Sequence, residues 1–195
     1  MEGWWAASYV VLWLLVLALC AVVVALARQI GLLHLRLGPR GALEIDDEGP
    51  VIGEPPPAAS ARNADAEVSL SAPGHRRLML FVSPGCTLCR QLLPGLGPVA
   101  SAAGYSAYAI SDLDLGETQR AFAGARADAP VLSGPKVAAT WNVPGTPFVV
   151  AVDKTGVVRA KGTPNNLEQL EGLVDSARKR EEQAEDPLAA EGLHR

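Results

Sequence analysis

Apolar residues in this chain form one long uninterrupted run followed by several short ones. Residues 3–27 are 25 consecutive positions without a charge, rich in Leu, Val and Ala. As a helix this run measures about 37 Å at 1.5 Å per residue, which is enough to cross the apolar part of a bilayer. Trp and Tyr side chains crowd its first half and Arg28 closes its other end, as is typical of membrane interfaces. The pattern predicts an N-terminal transmembrane helix within residues 1–28.

A cleaved signal peptide is the alternative interpretation of this run. Ala25-Leu26-Ala27 resembles a cleavage site, but the chain starts Met1-Glu2-Gly3 without a basic residue, and the apolar core is longer than signal peptides need. A lipoprotein signal ending at Cys20 fits less well, because the apolar run continues beyond it. We therefore expect an anchor, with Cys20 as an apolar residue within the membrane.

Short apolar runs with strand and helix spacing alternate over residues 66–178. The predicted strands are residues 78–83, 105–111, 148–153 and 157–161, and the predicted helices are residues 86–103, 116–125, 136–142 and 167–177. This alternation is typical of an α/β domain with helices on both sides of a mixed central sheet.

The remaining segments are polar or rich in proline. Residues 29–37 keep a helical pattern and extend the first helix as a juxtamembrane stub, and residues 40–65 mix acids with Pro55-Pro56-Pro57. We expect residues 29–65 to be stub and extended linker, and residues 179–195, where charge dominates, to be a frayed helix end and a disordered tail.

Composition narrows the function classes. The net charge of −4 and the pI near 5.4 offer no basic face, so nucleic acid is not an expected partner. Three cysteines are too few for a disulfide framework. No residue pattern calls for a cofactor, and we expect none.

The chemistry is predicted at the end of the first strand. Residues 78–83 lead into Pro84-Gly85 and then into Cys86-Thr87-Leu88-Cys89, which opens an apolar helical stretch. This spacing puts the two sulfurs close enough to bridge, and the helix N-terminus favours the thiolate of Cys86. Cys86 is then the attacking thiolate of a redox pair, and Cys89, one turn further in, resolves the mixed disulfide.

Two other uses of the cysteine pair remain open at this point. A closed zinc site needs four ligands, and His75 is the sole histidine near the pair in sequence, so no metal is expected. A permanent structural disulfide is the second alternative.

A second motif lies at the mouth of a later strand. Val143-Pro144-Gly145-Thr146-Pro147 leads directly into residues 148–152, which suggests a cis Thr146–Pro147 bond, with an ordinary trans loop proline as the alternative. Together with the cysteine pair and Pro94 within its helix, this motif resembles the thioredoxin fold over residues 66–178. The resemblance implies that Pro147 packs against the disulfide and that the backbone of Thr146 pairs with an extended substrate strand.

A closer resemblance covers the chain from the first helix to the last. It lies in Ala27-Arg28-Gln29-Ile30-Gly31-Leu32-Leu33-His34, in Leu37-Gly38-Pro39 with Gly41-Ala42-Leu43, in Phe81-Val82-Ser83-Pro84, and in Ala160-Lys161-Gly162 with Asn165. These residues resemble the methylamine utilization protein MauD family. The resemblance implies a membrane-anchored disulfide oxidoreductase or isomerase that helps mature the disulfide-rich small subunit of methylamine dehydrogenase. The implied partners are exported proteins with disulfides, the membrane itself and a membrane redox partner.

Two positions depart from thioredoxin itself. Many thioredoxins carry a buried acid six residues before the first Cys, where this chain has Leu80, and a Trp just before that Cys, where it has Gly85. A reductase role borrowed from thioredoxin is therefore not implied. A thiol reductase for cytochrome c maturation and a non-enzymatic scaffold or chaperone stay as alternatives.

The expected side of the membrane depends on which signal is followed. Arg28, Arg36 and Arg40 follow the span and no Lys or Arg precedes it, which by the positive-inside rule favours a cytoplasmic domain. Function in an oxidising compartment favours the opposite side. We follow the family resemblance and expect a cell-membrane protein with an extracytoplasmic thioredoxin-like domain.

Overall fold

The computed structural model describes residues 3–36 and 48–185. The chain divides into two compact units, Met1–Pro39 and Arg40–Arg195. Part of the expected linker, residues 37–47, and the last part of the expected tail, residues 186–195, lie outside the described residues.

The first unit is one helix, α1, over Gly3–Arg36. Its segment Gly3–Val23 has a mean hydropathy of 2.6, and its described side chains are exposed. A helix that is apolar on all sides has no polar face to turn toward water. Its length and composition suit a membrane anchor or a signal sequence. The helix continues to Arg36, as the pattern after residue 28 predicts.

The second unit is a mixed sheet with helices on both faces. The strands follow the spatial order β2-β1-β5-β4-β3-β6-β7, in which β3, β4 and β5 are parallel and the other pairings antiparallel. Their bounds are β1 Ser60–Arg62, β2 Glu67–Ser69, β3 Arg77–Val82, β4 Ser106–Ser111, β5 Val131–Ser133, β6 Phe148–Val152 and β7 Val158–Gly162. The helices are α2 Thr87–Ala102, α3 Leu115–Phe122, α4 Val137–Thr140 and α5 Leu167–Glu185.

Strand β3 lies at the centre of this sheet. All six of its residues are buried, and it pairs in parallel with β4 and antiparallel with β6. Because side chains alternate along a strand, Leu78 and Leu80 join a core cluster with α2 and α5, whereas Met79 and Phe81 join one with Val137 and Trp141. The continuous apolar run of the sequence is thus explained by burial on both faces.

Residues 48–65 are not a linker, contrary to the sequence-based expectation. Backbone hydrogen bonds join Gly53 N–H to Val158 O and Val158 N–H to Glu54 O, each near 3 Å, and the indole of Trp141 donates to Pro57 O at 2.8 Å. The domain therefore includes residues from Glu48 onward, not from residue 66. The segment is held mainly through its backbone and therefore has little apolar patterning. The strands β1, β2 and β5 were also missed, because three residues are too few to show an alternating pattern, although Ala61 and Leu132 are buried.

Helix α5 also continues beyond its predicted end. It runs to Glu185, so residues 179–185 are helix and not tail. Within this charged stretch Glu181 is buried, with 2% of its surface exposed, and its Oε2 accepts a hydrogen bond from Arg76 Nε at 2.8 Å. The high charge density predicts a solvated helix end, but the buried Glu181 and its ion pair with the partly exposed Arg76 hold this stretch against the domain.

The turn between β6 and β7 is organised by Asp153. Its Oδ1 accepts hydrogen bonds from Thr155 N–H, the Thr155 hydroxyl and Val157 N–H, and its Oδ2 accepts one from Arg159 Nε at 2.6 Å. Gly156 takes the positive φ of +86° that the turn requires. Burial alone raises the pKa of the Asp153 carboxyl. The bonds from Thr155, Val157 and Arg159 outweigh burial and hold that pKa below its ordinary value.

Glu181→Ala should destabilise the domain by about 1 kcal/mol, because it removes a charge-assisted hydrogen bond from Arg76, whose side chain is 35% exposed and can be hydrated in its place. Glu182→Ala is the matched control, since Glu182 is exposed and its pair with Arg178 spans 3.7 Å. The control should change the free energy of unfolding by less than about 0.5 kcal/mol. Urea unfolding of the detergent-solubilised full chain, followed by pulse proteolysis, measures both. Equal effects of the two variants would show that residues 179–185 do not pack as described.

Asp153→Asn should cost about 2 kcal/mol of stability at pH 7, because the amide replaces an ionised acceptor of four hydrogen bonds. Since the folded pKa lies below the unfolded one, this stabilisation is complete above about pH 4 and is lost as the pH falls through the folded pKa. Unfolding midpoints at pH 7 and pH 3 test this. The exposed Asp175→Asn is the control, and a wild-type advantage that persisted unchanged at pH 3 would contradict the expectation.

Candidate active site

The Cys86 loop is held by the end of the central strand. Strand β3 ends at Val82, and Pro84 and Gly85, both exposed, lead into α2, which begins at Thr87. The carbonyl of Ser83 accepts a hydrogen bond from Cys86 N–H at 3.2 Å. The tight turn therefore places Cys86 directly over the carboxyl end of β3, at the start of the helix.

Cys86 and Cys89 form a disulfide with an S–S distance of 2.07 Å. Cys86 is the N-cap residue of α2, and its sulfur accepts a hydrogen bond from Cys89 N–H at 3.0 Å. Cys86 is half-buried, whereas Cys89 is fully buried. An incoming sulfur can reach Cys86, and Cys89 is shielded behind it.

The surroundings of the pair separate the two sulfurs electrostatically. The first turn of α2 contains no acidic residue, so nothing there opposes the positive end of the helix dipole at Cys86. Cys89 instead belongs to an apolar cluster with Leu80 and Leu92.

The buried carboxyl groups of residues 48–185 are Asp153 and Glu181. Asp153 follows the far end of β6, about 16 Å of strand away from Pro147. Within the described residues 48–185, Cys89 therefore has no buried carboxyl group beside it.

The loop before β6 reaches the same edge of the sheet. The Thr146–Pro147 bond is cis, as the sequence suggests; Pro147 is buried and Thr146 is exposed. Because β6 runs antiparallel to β3 and Phe148 pairs with Phe81, the residues preceding β6 lie beside those following β3. The hydroxyls of Ser83 and Thr146 are 2.9 Å apart. The four sequence-predicted site residues thus lie at this edge: Cys86 and Cys89 at the N-terminus of α2, and Thr146 and Pro147 on the loop before β6.

An apolar cavity of about 190 Å³ adjoins these loops. Val82, Ile110, Val143 and Thr146 are among the residues that line it. Trp141 is not exposed at the site: it is buried and packs edge-to-face on Phe81 at 5.9 Å, as expected of a core residue.

His75 lies at the opposite end of β3 from the cysteine pair. It is exposed and precedes Arg77, whereas Cys86 follows Val82, so six strand residues, about 20 Å, lie between them. Among the described residues, no group of three or more His, Cys, Asp or Glu side chains could hold a metal ion.

Ser83 is the site residue that sequence reasoning did not single out. It joins the two loops through its hydroxyl and supports the turn through its carbonyl. A signal was present in the sequence, because a hydroxyl residue at the end of β3 and another just before β6 fall opposite each other once the strands are paired antiparallel.

Solved structures similar to this chain share its fold. A structure assigned as the thiol:disulfide interchange protein DsbE of Chlorobium tepidum is 25% identical, with a TM-score of 0.55 over 67% of this chain and 97% of that one. A thio-disulfide isomerase of Thermus thermophilus is 25% identical, with a TM-score of 0.51 over 65% and 96%. The thioredoxin domain of a thiol-disulfide oxidoreductase of Bacteroides vulgatus is 21% identical, with a TM-score of 0.53 over 64% and 96%. These neighbours confirm the thioredoxin-like fold.

Curated relatives extend the similarity to nearly the whole chain, although no family model matches it. The methylamine utilization protein MauD of Methylobacillus flagellatus is 37% identical over 91% of this chain and 88% of its own length. Those of Methylorubrum extorquens and Paracoccus denitrificans are 34% and 32% identical, over 87% and 91% of this chain and 85% and 91% of theirs. The chain therefore belongs to the MauD family of methylamine utilization proteins and is a thiol–disulfide oxidoreductase of the thioredoxin fold.

Proposed function

We propose that this protein is a membrane-anchored thiol–disulfide oxidoreductase or isomerase that matures a disulfide-rich exported protein, such as the small subunit of methylamine dehydrogenase. The observation that carries the proposal is the asymmetry of the pair: Cys86 is accessible at the start of α2, and Cys89 is buried behind it. The pair lies beside a cis-proline loop. This arrangement suits reaction with one sulfur of a protein substrate at a time.

The reaction proceeds by two thiol–disulfide exchanges. In the reduced enzyme, the Cys86 thiolate attacks one sulfur of a substrate disulfide; a Cys86–substrate disulfide forms, and the second substrate sulfur leaves as a thiolate. The Cys89 thiolate then attacks Cys86 Sγ, which closes the Cys86–Cys89 disulfide and releases the first substrate sulfur. Two electrons pass to the substrate, and the two thiolates take up protons from water.

The same intermediate serves the other directions of exchange. Run in reverse, the oxidised pair takes two electrons from a substrate dithiol. When the released substrate thiolate instead attacks a second disulfide of the substrate, that disulfide opens and a new substrate thiolate leaves. The new thiolate then attacks the substrate sulfur bonded to Cys86, so a rearranged substrate disulfide forms and Cys86 leaves as a thiolate, with no net transfer of electrons. Isomerisation therefore requires the substrate to rearrange while it is still bonded to the accessible Cys86, before the buried Cys89 attacks that mixed disulfide.

Thr146 and Pro147 supply the docking edge in this proposal. Thr146 is exposed, and among the described residues its backbone N–H and C=O make no hydrogen bond. An extended substrate segment can pair with these groups by adding a strand, which places its cysteine next to Cys86. Pro147, which has no N–H, leaves no competing donor beside the sulfurs.

The substrate class and location are supported by the family and by α1. The relatives are named for methylamine utilization, and we infer that the substrate is a disulfide-rich exported protein of that process. Helix α1 is long and apolar enough to act as the anchor. A protein that handles disulfides of exported chains works in an oxidising compartment, so we place the thioredoxin-like domain there.

Cys86→Ser should reduce insulin disulfide reduction by dithiothreitol to the uncatalysed rate, because the attacking sulfur is gone. Cys89→Ser should accumulate a Cys86-linked mixed disulfide with insulin, visible on non-reducing gels, because the resolving sulfur is gone. Cys20→Ser, which removes the cysteine in α1, is the matched control and should keep wild-type turnover. Wild-type turnover by Cys86→Ser would contradict the enzymatic role and favour a scaffold.

The same Cys89→Ser variant tests the substrate. Offered the oxidised, unfolded small subunit of methylamine dehydrogenase, it should form a mixed disulfide that dithiothreitol releases. Capture of insulin without capture of the small subunit would keep the chemistry and reject this substrate.

A fusion of alkaline phosphatase to the C-terminus should be active, because that enzyme needs its disulfides and folds outside the cytoplasm. A β-galactosidase fusion at the same point is the control and should be inactive. The reverse pair of activities would place the domain in the cytoplasm and overturn the proposed location.

A further inference from the structure

We propose that Ser83 is a positioning residue for disulfide exchange: its hydroxyl bond to Thr146 fixes the substrate-docking edge relative to Cys86. The inference deepens the proposed function and depends on it, since it concerns how a docked protein substrate is aligned with the cysteine pair.

Strand register brings Ser83 and Thr146 together. Antiparallel pairing of β3 with β6 extends from Arg77 opposite Val152 to Phe81 opposite Phe148. Continuing this register by two residues on each strand places Ser83 opposite Thr146. Their backbones do not bond to each other among the described residues, and the hydroxyl pair at 2.9 Å is the link between the loops at this point.

Ser83 is connected to the redox pair on its other side. Its carbonyl accepts the N–H of Cys86 at 3.2 Å, and the sulfur of Cys86 in turn accepts the N–H of Cys89 at 3.0 Å. One residue therefore contacts both the turn that presents the attacking sulfur and the residue that presents the docking edge. Val82, directly before it, is fully buried, so Ser83 extends from a fixed strand.

Exchange is sensitive to this alignment. The attacking thiolate must approach the substrate S–S bond along its axis, and small misplacements of a bound reactant reduce rates strongly. A shift of that loop displaces a protein substrate that is held by the Thr146 backbone, and this lowers its rate of exchange. A small thiol attacks Cys86 without docking on the loop, so its rate does not change. The two kinds of substrate therefore separate positioning from a general effect on the cysteine loop.

The test compares Ser83→Ala with Ser101→Ala, a control that removes an exposed hydroxyl bonded to Pro98 O at the other end of α2. Full-length protein in detergent is assayed for kcat/KM of insulin reduction. It is also assayed for the rate at which dithiothreitol reduces the oxidised Cys86–Cys89 pair, followed by maleimide labelling. We expect Ser83→Ala to lower kcat/KM by roughly three- to tenfold, with the dithiothreitol rate unchanged within about twofold. Ser83→Thr, which retains the hydroxyl, should retain kcat/KM.

Combination with Thr146→Val completes the test. If the two hydroxyls act through their mutual bond, the double variant loses no more kcat/KM than the worse single variant. Independent, multiplying losses would overturn the inference, as would a Ser83→Ala enzyme equal to the Ser101→Ala control or one whose two rates fall in proportion. These outcomes differ from failure of the proposed function, in which the wild-type protein itself does not accelerate insulin reduction.

Discussion

The site depends on the double pairing of strand β3. This strand is buried on both faces and hydrogen-bonded on both edges, parallel to β4 and antiparallel to β6. Its carboxyl end therefore meets the beginning of β6, and the cysteine loop and the cis-proline loop come to the same edge of the sheet. A single register error would turn each side chain of β3 to the opposite face and expose the core around Leu80 and Phe81. The register of β3 with its two neighbouring strands thus determines both the packing of the core and the geometry of the site.

The two sulfurs of the site differ because Cys89 lies in apolar surroundings, whereas Cys86 lies at the accessible start of α2. Leu80 lies beneath the pair where many thioredoxins place an acid, and it packs in the same cluster as Cys89. The buried carboxylates of residues 48–185 serve elsewhere, Asp153 in the β6–β7 turn and Glu181 against Arg76. The asymmetry of the two sulfurs then comes from access and from the helix terminus, not from a buried base.

Sequence patterns predicted the elements whose residues are buried by side-chain contact. The run of residues 78–83, the helix after Cys86 and the strand after Pro147 all appear in the structure within a few residues of their predicted bounds. Residues 48–65 were missed because they join the domain largely through backbone bonds, which hydropathy does not report. Strand β5 was missed because its three residues are too few to show alternation, although Leu132 is buried in the core. Glu181 shows a third case. It continues the stripe of Leu170, Val174 and Ala177 at helical spacing, and its charge concealed that it was buried.

The hydroxyl pair between Ser83 and Thr146 follows from the same strand register and could not be predicted from either residue alone. Serine and threonine at loop positions are common and usually bond to nearby backbone or to water. Only the pairing of β3 with β6 turns a separation of 63 residues into a 2.9 Å contact. In the proposed function the substrate docks on one loop and reacts with a sulfur that follows the other, so alignment of the two needs a connection between the loops. The backbone ladder does not supply one beyond Phe81 and Phe148, and the two hydroxyls are placed where it ends.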